Sequence, residues 1–374
     1  MKVAIYTGTF KRDQDGVART LYELVDSLLK RGIEVSVWSP STSPNSREGL
    51  TVHRMPSVPL FLYTEYRFSI NFHKIKKEIS EFKPDIIHIS TPDYIGYRLM
   101  MWGKRKDIPI IAAYHTDFPS YLSYFHLNLF SGLVWKYLKR FYRKGDSVLV
   151  PTAELKKKLS RKDIRNIRIW SRGIDTEKFN PKYRSEELRK KWKAQEKILI
   201  TYVGRFVWYK DLNVLIDVYK RFKGSNINSV GFLMIGSGPI ADDLKKSMPD
   251  AIFTGYLKDE KLIRAFSSGD IFLFPSKTET FGNVVQEAIA CGLPAIVSNI
   301  GGCQEIVKRS RAGKICEAGE GKNFYDSCKK LIDNKELYQT YKTNGIEYSK
   351  HVSWDLINQD LIEHYYNMVR ISKK

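Results

Sequence analysis

Residues 271–294 read IFLFPSKTETFGNVVQEAIACGLP and hold one complete structural unit. The first four residues are all apolar, as in a strand of a parallel sheet that is covered on both faces. Apart from Phe281, small and polar residues follow as far as Gly282, and apolar residues then recur at helical spacing. The stretch therefore predicts a buried strand, a loop at its carboxyl end, and a helix.

The same pattern occurs on both sides of this stretch. Apolar runs at Ile198 to Val203, Phe232 to Ile235 and Ala295 to Ser298 are each followed closely by Gly, Pro or Ser and then by a helical stretch. Strands that alternate with helices in this way form a parallel sheet covered by helices. The second half of the chain is therefore predicted to be a doubly wound α/β domain.

The first half follows the same rule. Its apolar runs lie at Val3 to Thr7, Ile33 to Trp38, Ile86 to Ile89, Ile108 to Ala113 and Val148 to Val150. Helical stretches separate these runs, so a second parallel sheet covered on both faces is predicted.

A chain of 374 residues is about twice the usual size of a domain. We predict a Rossmann-like domain over residues 1–180, a second over 195–352, and a terminal helical segment over 353–374. The polar, charged stretch from Pro181 to Glu196 is interpreted as the connection between the two halves.

The cysteines and the apolar runs limit the class of protein. Cys291, Cys303, Cys316 and Cys328 are too far apart for a C-x-x-C metal or redox motif, and we expect buried thiols. The N-terminal MKVAIYTGTF lacks a long apolar segment, and nowhere do eighteen apolar residues follow one another. We therefore expect a cytoplasmic protein without a membrane span.

The formal net charge is +21, and its distribution suggests a partner. Thirteen Lys or Arg residues but only three acidic residues lie between Lys136 and Arg172, interleaved with Trp and Tyr residues. Basic helices with aromatic residues are attracted to an anionic membrane surface. An ordinary solvated helix face is the alternative that composition leaves open.

Two cations follow one predicted strand. Arg205 comes two residues after Val203, and Lys210, five residues later, is predicted to open the next helix. Ligands of parallel sheets bind beyond the carboxyl ends of the strands. Fixed cations there would stabilise the charge of a departing pyrophosphate.

Two carboxylates belong to the opening stretch. Glu279 lies in its loop and Glu287 in its helix, and carboxylates accept hydrogen bonds from the vicinal hydroxyls of a sugar or ribose. The amides of Gly282 and Asn283, at the helix start, can bind hydroxyls or phosphate oxygens. His115 ends the run Ile108 to Ala113 and could donate to a sugar hydroxyl.

A metal-dependent mechanism is not favoured. Asp13 and Asp15 form a D-x-D pair of the kind that holds a divalent cation elsewhere. They lie in the first N-terminal loop, whereas Arg205 and Lys210 already supply positive charge in the second half. We therefore expect no metal and no other cofactor.

The chain resembles a known family nearly from end to end. The segments GRFVWYKDL, GSGP, FTGYL, TETFGNVVQEAIACGLP and GGCQEIV are similar to the signature blocks of the large retaining GT-B glycosyltransferase group. That group includes bacterial mannosyltransferases, lipid glucosyltransferases and sulfoquinovosyl diacylglycerol synthase. The resemblance implies two Rossmann-like domains facing a deep cleft, with the last helix crossing back to the N-terminal domain.

The resemblance also implies roles for individual residues. Arg205 and Lys210 would bind the diphosphate, Glu287 the ribose, and Glu279 the transferred sugar. The other expected donor-site residues are Gly16, Gly204, Gly255, Tyr256, Phe281, Gly282, Asn283 and Val284, with His115 near the reacting carbon. Family members often carry a Gly pair before the first helix, whereas this chain has Asp15 and Gly16.

The resemblance places the acceptor in the N-terminal domain. Two aromatic segments there, Pro59 to Tyr63 and Phe118 to Phe125, would dip into a bilayer if exposed or form core if buried. We expect a UDP- or GDP-sugar donor and a lipid or glycan acceptor, but no nucleic-acid partner. A UDP-sugar 2-epimerase and a non-enzymatic nucleic-acid binder are the remoter alternatives, and a dehydrogenase lacks its glycine fingerprint.

Overall fold

The computed structural model describes residues 1–11, 15–43, 47–60, 63–117, 119, 129, 131–225 and 227–373. The chain forms two compact units. Unit 1 comprises Met1–Gly173 and Trp354–Lys374, and unit 2 comprises Ile174–Ser353.

Unit 1 is built on a parallel sheet. Seven of its described strands are ordered β3-β2-β1-β6-β7-β8-β9, and every neighbouring pair is parallel. The strands are β1 Lys2–Tyr6, β2 Glu34–Ser39, β3 Leu50–Arg54, β6 Ile86–Ile89, β7 Ile110–Ala113, β8 Ser147–Val150 and β9 Ile167–Ile169. A separate antiparallel pair consists of β4 Val58–Leu60 and β5 Tyr63–Phe68.

Helices cover both faces of this sheet, as the continuous apolar strands require. They are α1 Gly16–Leu29, α2 Phe72–Phe82, α3 Tyr94–Lys104, α4 Ser131–Tyr142, α5 Ala153–Ser160 and, from the end of the chain, α14 Trp354–Ser372. α14 lies with α1, where Leu361, Ile362 and Tyr365 are buried. The last helix therefore completes the core of the first unit.

Unit 2 repeats the arrangement with six described strands in the order β12-β11-β10-β13-β14-β15, all parallel. The strands are β10 Ile198–Val203, β11 Val230–Ile235, β12 Ile252–Gly255, β13 Ile271–Phe274, β14 Ala295–Ser298 and β15 Gly313–Cys316. β10 and β13 are neighbours, so the loops that follow them meet at one edge.

The helices of unit 2 are α6 Glu186–Lys191, α7 Leu212–Gly224, α8 Ala241–Ser247, α9 Asp259–Ser267, α10 Asn283–Ala290, α11 Cys303–Ser310, α12 Gly321–Asp333 and α13 Lys335–Lys350. All four cysteines of the chain lie in the described part of this unit and are buried free thiols, as predicted. Among the described residues, no helix is long and apolar enough to cross a bilayer.

The polar stretch from Pro181 to Glu196 packs within unit 2. Arg189 is 2% exposed, donates to the carbonyl oxygens of Ser268 and Lys197, and pairs with Asp270 at 3.0 Å. Arg189 thus anchors this charge-rich segment in the interior of unit 2, because a guanidinium can donate hydrogen bonds to several carbonyl oxygens at once.

A buried histidine links the sheet of unit 1 to its last helix. His88, on β6, is fully buried, and its Nδ1 lies 2.5 Å from the hydroxyl of Tyr365 on α14. Burial, and then the nearby charge of Arg172, lowers the pKa of His88 to about 3. The imidazole is therefore neutral in the folded protein over the physiological range.

This burial makes the stability of unit 1 depend on pH. In the unfolded state the His88 side chain has its ordinary pKa of about 6.5, whereas in the folded state its pKa is about 3. The free energy of unfolding therefore has its full value above about pH 6.5 and decreases as the pH falls. We expect His88→Gln to reduce the slope of the opening free energy below pH 6.5 by about 1.4 kcal/mol per pH unit. Hydrogen exchange of the backbone amides of β6 and α14, corrected for intrinsic exchange rates, measures this slope.

The control is His351→Gln, which removes an exposed histidine from unit 2. Equal slopes in wild type and His88→Gln would show that His88 does not bear this linkage.

Candidate functional site

The candidate site of unit 2 lies where β10 and β13 end. Lys210 and Glu279 follow these neighbouring strands, and the Lys210 ammonium forms an ion pair with the Glu279 carboxylate. Their side chains are 14% and 23% exposed, so both charges are largely shielded from water. The structure thus brings together two residues that sequence analysis assigned to different parts of one ligand.

The backbone around Lys210 fixes where its side chain starts. A single 3₁₀ turn, Trp208–Lys210, follows β10, and Asp211 then adopts φ 56° and ψ 38° before α7 begins. This left-handed conformation is uncommon outside glycine, although Asp and Asn tolerate it best. Lys210 therefore sits at a sharp and specific change of chain direction.

The loop that carries Glu279 is packed against the loop after β14. The amide of Gly302 donates to the carbonyl of Glu279 at 2.7 Å, and a Cβ on Gly302 would lie 2.3 Å from the carbonyl oxygen of Thr280. Gly282, with φ 99°, would place a Cβ 2.4 Å from the sulfur of Cys303. Gly302 is required because the two backbones approach so closely, and Gly282 because of its positive φ and the nearby sulfur of Cys303.

α10 begins directly after Gly282. Phe281 is buried, Asn283 and Val284 are half-buried, and Glu287 is only 3% exposed. The start of a helix carries partial positive charge and N–H groups that lack intrahelical partners. An anionic or hydroxyl-rich ligand can bind there.

The remaining predicted residues of unit 2 lie at other strand ends. Gly204 follows β10, and Arg205 is exposed while its carbonyl accepts from the Tyr202 hydroxyl at 3.2 Å. Gly255, with φ 72°, ends β12. Tyr256 is 59% exposed, with the Lys258 ammonium 5.5 Å from its ring centroid. An exposed ring beside a cation can stack on a planar base.

In unit 1, Gly16 is the first residue of α1, and Asp15 is its N-cap. The Asp15 carboxylate accepts a hydrogen bond from the Ala18 amide at 2.8 Å. Burial raises the pKa of this carboxylate, and the hydrogen bonds from Ala18 and Val17 offset only part of that rise. The Asp15 carboxylate therefore has a structural role as the N-cap of α1. Asp13 lies outside the described residues. Among those that are described, no group of three His, Cys, Asp or Glu side chains could hold a metal.

His115 follows β7 and is 8% exposed. Its Nδ1 lies 3.0 Å from Nη2 of Arg172. A guanidinium can only donate, so Nδ1 accepts, and the ring proton of the neutral imidazole is on Nε2. Burial, then the charges of Arg172 and His88, hold the pKa of His115 well below its usual range. His115 is therefore a neutral hydrogen-bond donor through Nε2.

Arg172 is itself buried. It donates to the carbonyls of Trp170 at 2.7 Å and Ser171 at 3.2 Å, and burial lowers its pKa to about 9. The indole of Trp170 stands edge-on to His115, with ring centroids 5.7 Å apart.

Asp211, Lys277 and Arg172 were not predicted as site residues from the sequence. Asp211 and Lys277 form an ion pair at 2.7 Å beside Lys210 and Glu279. Their positions next to two predicted site residues were the available signal. No comparable signal marked Arg172, because it meets His115 only through the fold.

These groups offer a defined chemistry. A shielded ammonium and the start of α10 can bind phosphate oxygens, and the Glu279 and Glu287 carboxylates can accept hydroxyl protons. The neutral imidazole of His115 can donate one hydrogen bond without adding charge. The groups of unit 2 thus suit a ligand that carries both phosphate and hydroxyl groups.

Two family models together match most of the chain. The model of Glycosyltransferase Family 4 matches residues 14–178, and that of Glycosyl transferases group 1 matches residues 184–348. The sulfoquinovosyl transferase SQD2 of Arabidopsis thaliana is 30% identical over 93% of this chain and 68% of its own. A GDP-mannose-dependent alpha-mannosyltransferase of Mycobacterium tuberculosis is 27% identical over 98% of this chain and 96% of its own.

The alpha-monoglucosyldiacylglycerol synthase of Streptococcus pneumoniae is 28% identical over 79% of this chain and 70% of its own. Among solved structures, a sucrose-phosphate synthase from Thermosynechococcus elongatus superposes with a TM-score of 0.80 at 18% identity, with 99% of each chain covered. The predicted family and two-domain fold are both confirmed. The chain belongs to the GT-B glycosyltransferases whose two halves are Glycosyltransferase Family 4 and Glycosyl transferases group 1.

Proposed function

We propose that this protein is a retaining glycosyltransferase that moves glucose, mannose or a related hexose from a UDP- or GDP-sugar to a lipid or glycolipid acceptor in α-linkage. The pairing of Lys210 with Glu279 at the strand ends of unit 2 is the observation that carries the proposal. It supplies one group for the leaving phosphate and one for the hydroxyls of the sugar.

In this proposal the diphosphate lies against Arg205, Lys210 and the first amides of α10. Glu287 accepts from the ribose, and Glu279 accepts from the transferred hexose. The base lies near Gly255 and Tyr256, whose exposed ring can stack on it. Gly16 approaches the phosphates from the start of α1.

Retention follows from a front-face reaction in which the leaving phosphate takes the proton of the acceptor hydroxyl. The described groups suit this route, because Lys210 stabilises the developing phosphate charge and His115 stays neutral. The hydrogen bond from Nε2 of His115 would go to the transferred sugar near its reacting carbon. We propose no bound metal in these steps.

The name of the mycobacterial relative mentions GDP-mannose, and that of the streptococcal relative mentions glucosyl and diacylglycerol. These names support a nucleotide sugar as donor and a lipid as acceptor. They leave both UDP and GDP donors open to experiment.

A surface of unit 1 supports the lipid acceptor. Four exposed residues of α4, namely Leu133, Lys136, Tyr137 and Arg140, lie at positions i, i+3, i+4 and i+7, on one helix face. Leu133 is 65% and Tyr137 39% exposed. We call this face the α4 stripe. Apolar and basic groups on one exposed face suit the interface of an anionic bilayer.

The charge distribution agrees with membrane docking through unit 1. Unit 1 contains thirty-three Lys or Arg and nineteen Asp or Glu residues, whereas unit 2 contains twenty-nine and twenty-two. The larger positive excess is thus in the unit that we propose for the acceptor. We propose that the protein acts at the cytoplasmic face of the membrane. The segments Pro59 to Tyr63 and Phe118 to Phe125 fall largely outside the residues whose side chains are described.

Within this proposal, the first prediction concerns the reaction. Purified protein is incubated with UDP- and GDP-sugars, with and without bacterial membrane lipids, and nucleoside diphosphate release is measured beside transfer of radiolabel to the organic phase. We expect release that requires lipid, with label in the organic phase, and equal activity in EDTA. Lipid-independent turnover would point to a soluble or polysaccharide acceptor or to an epimerase. Loss in EDTA with rescue by Mn²⁺ would return Asp13 and Asp15 to consideration.

A second prediction tests Lys210. Because its charge matters most as the phosphate departs, Lys210→Ala should lower turnover by about a hundredfold or more. The affinity for the sugar nucleotide, measured by calorimetry, should fall by less than about tenfold. Lys220→Ala, which removes an exposed lysine from α7, is the control. Near-normal turnover in Lys210→Ala would rule out this assignment.

A third prediction tests the α4 stripe. Each basic residue near an anionic surface contributes about 1 kcal/mol, so Lys136→Glu with Arg140→Glu should weaken binding to phosphatidylglycerol-containing vesicles by about thirtyfold or more. The loss should shrink in high salt, which screens the attraction. Lys220→Glu with Lys246→Glu makes the same charge change on unit 2 and is the control. Equal loss in both pairs, or equal binding to pure phosphatidylcholine, would contradict docking through this stripe.

A further inference from the structure

The loops that carry Lys210 and Glu279 are joined by a second contact. The carboxylate of Asp211 binds Lys277 twice: Oδ1 lies 2.7 Å from the side-chain ammonium, and Oδ2 accepts from the main-chain amide at 3.3 Å. One carboxylate thus fixes both the side chain and the backbone of the opposite loop. We call this contact the Asp211–Lys277 clamp.

The clamp is adjacent to both predicted site residues. Asp211 directly follows Lys210, and Lys277 precedes Glu279 by two residues. A further bond runs beside it, from the Thr278 hydroxyl to the Tyr209 carbonyl at 3.4 Å. The two loops therefore contact each other at several consecutive residues. The ion pair between Lys210 and Glu279 is one of these contacts.

Burial makes the clamp stronger than an exposed ion pair. The side chains of Asp211 and Lys277 are 10% and 31% exposed. Exposed pairs contribute little, whereas a shielded pair with an added hydrogen bond holds its geometry. Asp211 also keeps its left-handed backbone, with φ 56°, at the point where the chain turns from Lys210 into α7. A local conformational cost at that residue is offset by the contacts it makes.

We propose that Asp211 and Lys277 are positioning residues, which hold Lys210 and Glu279 in the geometry that the transfer reaction requires. This inference rests on the proposed function for its consequence in catalysis. Neither residue contacts substrate in the proposal. Each acts by fixing the loop that carries a residue which does, and a displacement of about 1 Å at a reacting group can cost as much as a hundredfold in rate.

The test uses three substitutions of Asp211 in the full chain. Asn keeps an acceptor for the Lys277 amide and tolerates the left-handed backbone, Gly keeps only the backbone, and Ala keeps neither. We expect turnover to fall least in Asp211→Asn, by about tenfold, and further in Asp211→Gly and then Asp211→Ala. Affinity for UDP or GDP alone, measured by calorimetry, should change by less than about threefold, because the charge of Lys210 matters most as the phosphate departs and the sugar contacts of Glu279 are absent from both probes.

The pair is tested as a unit by a double-mutant cycle. Lys277→Met should lower turnover by about as much as Asp211→Asn, and the double variant should be no worse than the weaker single variant. Asp242→Asn with Lys245→Met removes an exposed Asp–Lys pair of the same unit and is the control. Multiplied losses in the double variant would overturn a joint role.

Hydrogen exchange provides a readout that does not need activity. Exchange at Lys277 and through Glu279 should be faster in Asp211→Gly and Lys277→Met than in wild type, with the control pair unchanged. Unchanged exchange would overturn the clamp, and faster exchange with unchanged turnover would overturn its positioning role. Absence of transferase activity in wild type with every donor would reject the proposed function, and the exchange measurements alone would then decide the clamp.

Discussion

The parallel pairing of β10 with β13 is the interaction on which the candidate site depends. Parallel neighbours lie about 4.8 Å apart and end at the same edge of the sheet. The pairing of Ile200 with Ile271 therefore places the two following loops side by side, although Lys210 and Glu279 are 69 residues apart in sequence. An antiparallel pair would have sent them to opposite edges. Close approach of the next loop, through Gly302, then fixes the backbone of Glu279 from its other side.

In unit 1 the parallel sheet also brings two side chains together, but only one of the two is charged. β7 and β9 lie on either side of β8, so His115 after β7 can meet Arg172 from the segment after β9. Burial lowers the pKa of Arg172 to about 9, which still leaves its charge in place at neutral pH. Burial, and then the charge of Arg172, lower the pKa of His115, so its imidazole stays neutral. The result is one positive charge and one oriented donor.

The central strands are predictable from the sequence, whereas several of the edge strands are not. Ile198–Val203 and Ile271–Phe274 are buried, apolar runs, and their predicted bounds agree with the structure. β9 and β12 consist largely of half-buried residues, because an edge strand is covered less completely, and their sequences lack a continuous apolar signal. Lys210 and Glu279 were found because each follows a central strand. Their mutual ion pair and the clamp between Asp211 and Lys277 depend on which strands are neighbours, which periodicity does not encode.

The ion pair between Lys210 and Glu279 also balances two opposite charges within the site. A shielded ammonium or carboxylate left alone would carry a large desolvation cost, and each here neutralises the other. In the proposed reaction the donor supplies a replacement for both partners: phosphate oxygens for Lys210 and hydroxyl groups for Glu279. Donor binding then exchanges one set of polar contacts for another, with little new burial of unpaired charge. The clamp beside the pair would keep both loops in register during that exchange, since Asp211 and Lys277 bind each other.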